Sequence, residues 1–256
     1  MIPALLKGKL TEEQQNLEDL LTSAVFGLLQ YVPAETGILK LLALGVPFDE
    51  KSEIVLPQTV SSQSYDFWPW LQCNDCHGAE PDVLITLIDH TGTTHRVLIE
   101  AKFRSGKSSY ADSASAIPTD QLAREWDNLV CMCKPKGWVP HMVYITADFG
   151  IPLKDIESAA EEFQAKRPEA ASKYPLNCYW LSWRHIPAAY GKSSDPMLKD
   201  ILQLSRRYGF EFYSGVSTFA LKSIPSWTFT QSTRPIVHFS FWPTPFICPT
   251  WSFNNE

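Results

Sequence analysis

Along this chain of 256 residues the apolar positions recur at two spacings, and the alternation between them predicts an α/β fold. In "TEEQQNLEDLLTSAVFGLLQY", residues 11–31, Leu17, Leu20, Leu21, Ala24, Val25, Leu28 and Leu29 share one face of a helical period. Thr11 and the acidic residues behind it suit the exposed N–H groups of a helix start, and Pro33 ends the run. A second short helix is expected over 36–45, closed by Gly45. From there to about residue 70 the pattern is mixed, with a strand-like "EIVLPQTV" and an aromatic "YDFWPWLQ".

The clearest strands are "VLITLID" and "RVLIEAKF", joined by the turn-forming "HTGTT". Their apolar residues run almost without interruption, which predicts strands covered on both faces in a central sheet. After a Ser/Gly-rich loop over 105–116, "PTDQLAREWDNLVCMC" reads as a helix begun near Pro118 and Thr119 and ended before Pro135. A strand "HMVYITAD", a helix "LKDIESAAEEFQAKR", a strand "NCYWLSW" and a final helix "DPMLKDILQLSRRYG" follow. The expectation is one α/β domain over 1–215. Beyond it, 216–256 is aromatic, Pro-rich and almost uncharged, an extension expected to pack on the domain or on a partner.

Charge narrows the function. A net charge of −6 argues against holding nucleic acid over a broad basic surface. Any such contact must use a local patch, a bound cation or a partner. "MIPALLKGKLTEEQQNLEDLL" lacks the pattern of a signal peptide, and no run approaches the roughly 18 apolar residues of a membrane helix. A cytoplasmic protein without a membrane partner is the expectation. The six cysteines, at 73, 76, 131, 133, 178 and 248, are then expected as free thiols. "CNDCH" at 73–77 has the haem-attachment spacing, but that chemistry belongs to exported proteins. Cys73, Cys76, Cys131 and Cys133, with His77 in reserve, form a second option, a tetrahedral zinc site; C-x-C is an unusual half-site, and buried thiols are preferred.

The chemistry lies in "PDVLITLIDHTGTTHRVLIEAKFRSGK", residues 81–107. In a strand residues i and i+2 face the same way, so Glu100 and Lys102 leave one face together and Ala101 leaves the other. Asp82, at the mouth of the neighbouring antiparallel strand, comes within reach. Such a pair is usually a solvated face, yet these strands are too apolar for an exposed ribbon, and burying three charges demands partners or a metal. Asp82, Glu100 and the Ala101 carbonyl are hard oxygen donors suited to Mg²⁺ on a phosphodiester, with Lys102 placed to orient water or steady the phosphate. No G-x-S-x-G elbow is present, and "RSGKSS" lacks the glycine and spacing of a P-loop.

"EPDVLITL", then "VLIEAKF", then a helix bearing "DQLAREWDNL" resembles the PD-(D/E)XK nuclease superfamily. That resemblance, spanning about residues 10–215, rests on some five specific residues. It implies a restriction-endonuclease-like three-layer core, a central mixed sheet flanked by helices. It places Asp82, Glu100 and Lys102 on the core motif and Gln121 on the helix position, with Glu18 as the acid of the first helix and Asp19 as its substitute. Arg104, Lys107 and Arg124 are expected to grip flanking phosphates. The implied activity is Mg²⁺-dependent hydrolysis of DNA, with Mn²⁺ substituting and RNA left open. The implied setting is the nuclease subunit of a bacterial restriction or anti-phage or anti-plasmid defence complex, gated by a protein partner or by self-assembly. The other reading is a weakly cleaving or non-cleaving scaffold that keeps the nuclease fold in a nucleic-acid-processing complex.

Overall fold

A computed structural model describes residues 13–48 and 56–210, with the side chains of the first helix described from Glu18 onward. Thr11, residues 53–55 of the strand-like 53–60 segment and the aromatic extension 216–256 lie outside the described residues. Helices α1 (Glu13–Leu29) and α2 (Ile38–Leu42) are followed by strands β1 (Val46–Pro47), β2 (Val60–Phe67), β3 (Val83–Asp89) and β4 (Thr94–Ala101). Then come α3 (Gln121–Cys133), β5 (Val139–Thr146), α4 (Leu153–Lys166), α5 (Pro168–Lys173), β6 (Cys178–Ser182), α6 (His185–Tyr190) and α7 (Pro196–Arg207).

The strands form one open mixed sheet in the order β1-β6-β5-β4-β3-β2. β2, β3 and β4 are antiparallel neighbours, β4, β5 and β6 run parallel, and β1 closes the far edge antiparallel to β6. The crossover from β4 to β5 carries α3, and that from β5 to β6 carries α4 and α5, as parallel pairs require. Each face of the sheet buries its own apolar layer. On one, Val83, Ile85, Val97 and Ile99 meet Leu21, Phe26, Ile38 and Ile201. On the other, Leu84 and Leu98 meet Leu122, Trp126, Leu129 and Phe163. The near-continuous apolar runs of β3 and β4 thus reflect strands covered on both sides, as their composition predicted. Among the described residues no helix is long and apolar enough to cross a membrane.

Three local features depart from the expectation. β2 begins at Val60 and continues through the polar "VSSQSYDF". As the sheet edge it exposes Ser62, Ser64 and Asp66 and half-buries Gln63, Tyr65 and Phe67, so its period of two carries little hydrophobic signal. Two six-residue helices, α5 and α6, are too short to show a period. α3 starts at Gln121, later than expected, because Asp120 caps it, its carboxylate accepting from the N–H groups of Leu122 and Ala123. Thr119 and Asp120 are held outside the helix by Glu162 of α4, whose carboxylate accepts both their N–H groups, at 3.1 and 2.7 Å.

The loop expected to offer Lys107 to phosphates is pinned by the same stretch. The Lys107 ammonium is buried, ion-paired with Asp120, and donates to the Asp155 carbonyl at 2.9 Å. Lys107 is therefore a structural cation, and its expected role in phosphate binding is corrected. Replacing Asp120 with alanine removes a helix cap and strands that ammonium, so Asp120→Ala should cost about 3–5 kcal/mol in denaturant unfolding. Arg104→Ala, at an exposed side chain, should change stability by less than about 0.5 kcal/mol.

Candidate active site

The carboxyl end of β4 is where the sheet turns from antiparallel to parallel neighbours. The register pairs Val83 with Ile99, so one step outward Asp82 faces Glu100. Asp82 is locked there from three sides. Its carbonyl accepts from the Trp68 N–H at 2.9 Å, its Oδ1 from the Trp68 indole at 3.1 Å, and its Oδ2 from the Ala101 N–H at 2.8 Å. Trp68 is buried with a φ of 48°, a left-handed conformation that a bulky residue adopts only when its surroundings enforce it. Nothing in the local sequence marks that conformation.

Ala101 faces the apolar layer on the α1 side, while Glu100 and Lys102 emerge on the α3 side. The Lys102 N–H donates to the Ile145 carbonyl of β5 at 2.8 Å, so the N–H and carbonyl of Ala101 both point the other way, toward Asp82. Lys102 Nζ lies 2.6 Å from Glu100 Oε1 and 3.5 Å from Glu18 Oε1. Glu18 reaches over from α1 and is anchored as its Oε2 accepts from the Phe103 N–H at 2.6 Å and the Ser105 hydroxyl at 2.5 Å. It is Glu18 that joins the cluster; its neighbour Asp19 is buried with partners of its own.

Helix α3 supplies the remaining wall. Gln121, its first residue, donates to Glu100 Oε1 and accepts from the Ser108 N–H at 2.7 Å. One turn later Glu125, which the sequence reading did not single out, points to the same place and accepts from Gln121 Nε2 at 3.1 Å. Its i,i+4 spacing from Gln121 was the available signal. Glu100 Oε2 and Glu125 Oε2 are buried oxygens without a hydrogen-bond partner. Arg124 is half-buried beside them with its Nε unpartnered, and Arg104 is exposed, stacked over Phe103 in the left-handed region at φ 62°.

Four carboxylates around one ammonium cannot all be charged at low cost. Burial and the neighbouring Glu100 hold Asp82 well above the usual carboxylate range. Burial and Glu125 push Glu100 up to about 8, against the pull of Lys102. Burial raises Glu125 to about 7. Burial alone would lower Lys102, but Glu100, Asp82 and Glu18 outweigh it and keep the ammonium charged. Among the described residues no three of these acids bring an oxygen within 4.8 Å of one another, and Lys102 occupies the space between them.

A cleft of about 440 Å³ opens beside Lys102, lined by Arg104, Ser105, Thr146, Phe149 and Arg184. Its walls follow β4, β5 and β6, so it sits at the carboxyl ends of the parallel strands, where open α/β sheets bind ligands. The cysteines lie elsewhere. Cys73 and Cys131 are joined as a disulfide, and Cys76, Cys133 and Cys178 are free and buried. The expectation of free thiols therefore fails for one pair. Cys133 faces the apolar core apart from the others, so the four-cysteine zinc grouping does not form. The fold and site define an open mixed α/β sheet with a buried acid–lysine cluster. No family model, curated protein or solved structure matches this chain.

The raised carboxyls set a pH dependence. A group whose folded pKa lies above its unfolded value contributes stability that is lost as pH rises through the folded pKa. For Glu125 and Glu100 that loss runs through about 7 and about 8. The buried His95 and His141, lowered by burial, act in the opposite direction and below their ordinary 6.5. Raising pH from 6.5 to 8.5 without divalent cations should cost about 2 kcal/mol, or roughly 4–8 °C in Tm. Glu100→Gln should flatten that slope in a thermal melt series.

Proposed function

We propose that this chain is a metal-dependent nuclease that hydrolyses phosphodiester bonds, with DNA as its first substrate. The observation that carries this reading is the buried cluster at the end of β4, in which Asp82, Glu100 and Glu18 surround Lys102 and Glu100 Oε2 lacks any partner. A buried carboxylate oxygen without a hydrogen-bond partner is the kind of hard donor that a divalent cation would satisfy. Asp82, Glu100 and the Ala101 carbonyl fit Mg²⁺ or Mn²⁺ in the kind of their atoms, all of them hard oxygens, and Glu18 would add a fourth donor from α1. The bound ion would polarise the phosphate and lower the pKa of an attacking water.

The chain's own groups have separate tasks. Lys102, released from Glu100 when that carboxylate turns to a cation, would hold the attacking water or the developing phosphate charge. Gln121 orients Glu100 and takes part of its negative charge through a hydrogen bond. Arg104 and Arg184, on the walls of the adjoining cleft, would receive the flanking phosphates. The ion pair between Lys102 and Glu100 also favours a gated enzyme, since Lys102 would have to leave Glu100 before that carboxylate could hold a cation, and a partner or assembly that shifts Lys102 would ease this.

Supercoiled plasmid incubated with the purified chain tests the reading. Nicking is expected with Mg²⁺ and with Mn²⁺ and none with EDTA, and Glu100→Gln and Lys102→Ala should each lower the rate about 10²–10³-fold. Wild-type and variant proteins that behave alike on plasmid, single-stranded DNA and RNA would reject nuclease action by this site.

A further inference from the structure

The loop from Trp68 to Asp82 joins β2 to β3 and carries Cys73 and Cys76. Its tip is fixed to the second half of α3 by Asn128, whose Oδ1 accepts from the Cys73 N–H at 3.1 Å and whose Nδ2 donates to the His77 carbonyl at 2.6 Å. One side chain thus holds both ends of the C-x-x-C segment. Inside it the Cys76 N–H donates to the Cys73 carbonyl at 3.2 Å, a turn that brings both sulfurs to one side. Cys131 lies three residues beyond Asn128, on the same helix face. The sulfurs of Cys73, Cys76 and Cys131 all fall within 4.8 Å of one another.

A disulfide between Cys73 and Cys131 employs two of these sulfurs and leaves the third without a task. The convergence follows from the backbone anchoring through Asn128, which does not depend on the S–S bond. We propose that, when a thiol reductant opens the Cys73–Cys131 disulfide to two cysteine thiols and is itself oxidised to a disulfide, Cys73, Cys76 and Cys131 hold a zinc ion as thiolates. Three sulfur donors from a C-x-x-C turn and a helix match tetrahedral zinc, whose fourth position would face the open groove beside Cys131 and Lys134 and take a water. Zinc with three thiolates carries a net negative charge. Arg167 supplies the compensation, because its guanidinium lies against Cys76 and Asp127 and also donates to the Asp75 carbonyl within the turn.

The ion would brace the loop that ends in Asp82 against the helix that begins with Gln121 and Glu125. The site shares no residue with the acid cluster and does not depend on any nuclease activity. Metal analysis of protein purified in reductant and dialysed against zinc tests it. One zinc per chain is expected for wild type and for Cys133→Ser, and none for Cys76→Ser or Cys131→Ser. Cobalt loaded in place of zinc should give a thiolate-to-cobalt charge-transfer band in wild type, a readout that needs no variant and that carboxylates cannot produce. In Mg²⁺-free buffer, chelator should lower the Tm of zinc-loaded wild type and leave Cys76→Ser unmoved. Reduced wild type that retains no zinc and shows no sulfur-to-cobalt band overturns the proposal, as does Cys133→Ser losing zinc as fully as Cys76→Ser.

Discussion

The architecture turns on a strand that is apolar through its buried middle, Val97 to Ile99, and charged at its end. β4 is buried on both faces, so it must be central, and its continuation through Glu100 and Lys102 carries two charges to the rim of the core. Water does not reach them fully there, and each must find its counter-charge or hydrogen bond within the protein. The surrounding elements are arranged around that requirement. Asp82 and Trp68 close one side, Glu18 comes from α1, and Gln121 and Glu125 come from the first turns of α3.

The cluster is only partly neutralised by these means. One ammonium serves four acids, and two carboxylate oxygens end without a partner. A site built purely for stability would replace such acids with apolar groups of similar volume, since buried ion pairs seldom repay their desolvation. Retained acids with raised pKa values, beside a cleft at the carboxyl ends of parallel strands, are the arrangement that a cation and an anionic substrate would relieve together.

The second half of α3 has a different task from the first. Its opening residues face the acids, whereas Asn128 and Cys131 hold the long loop before β3. One helix thus positions both sides of the site, Gln121 and Glu125 directly and Asp82 through the loop. The loop after β4 is tied just as firmly, because Lys107, Asp120 and Glu162 link it to α3 and α4. Both connections entering the site are therefore anchored by buried polar groups.

Periodicity and composition by themselves determined the alternation of strands and helices, the double burial of β3 and β4, and the shared face of Glu100 and Lys102. These are local consequences of side-chain spacing on a regular backbone. They also brought Asp82 to the neighbouring strand end, because a short turn between two antiparallel strands leaves little freedom of register. Tertiary structure alone decided which long-range partners these residues met. It set the polar edge strand β2, the left-handed Trp68, the entry of Glu125, the burial of Lys107 against Asp120, and the meeting of Cys73 and Cys76 with Cys131 while Cys133 turned to the core. A chain's spacing states which way a side chain leaves its own element, but what waits there depends on how elements far apart in sequence pack, and burial energy is settled only at that level.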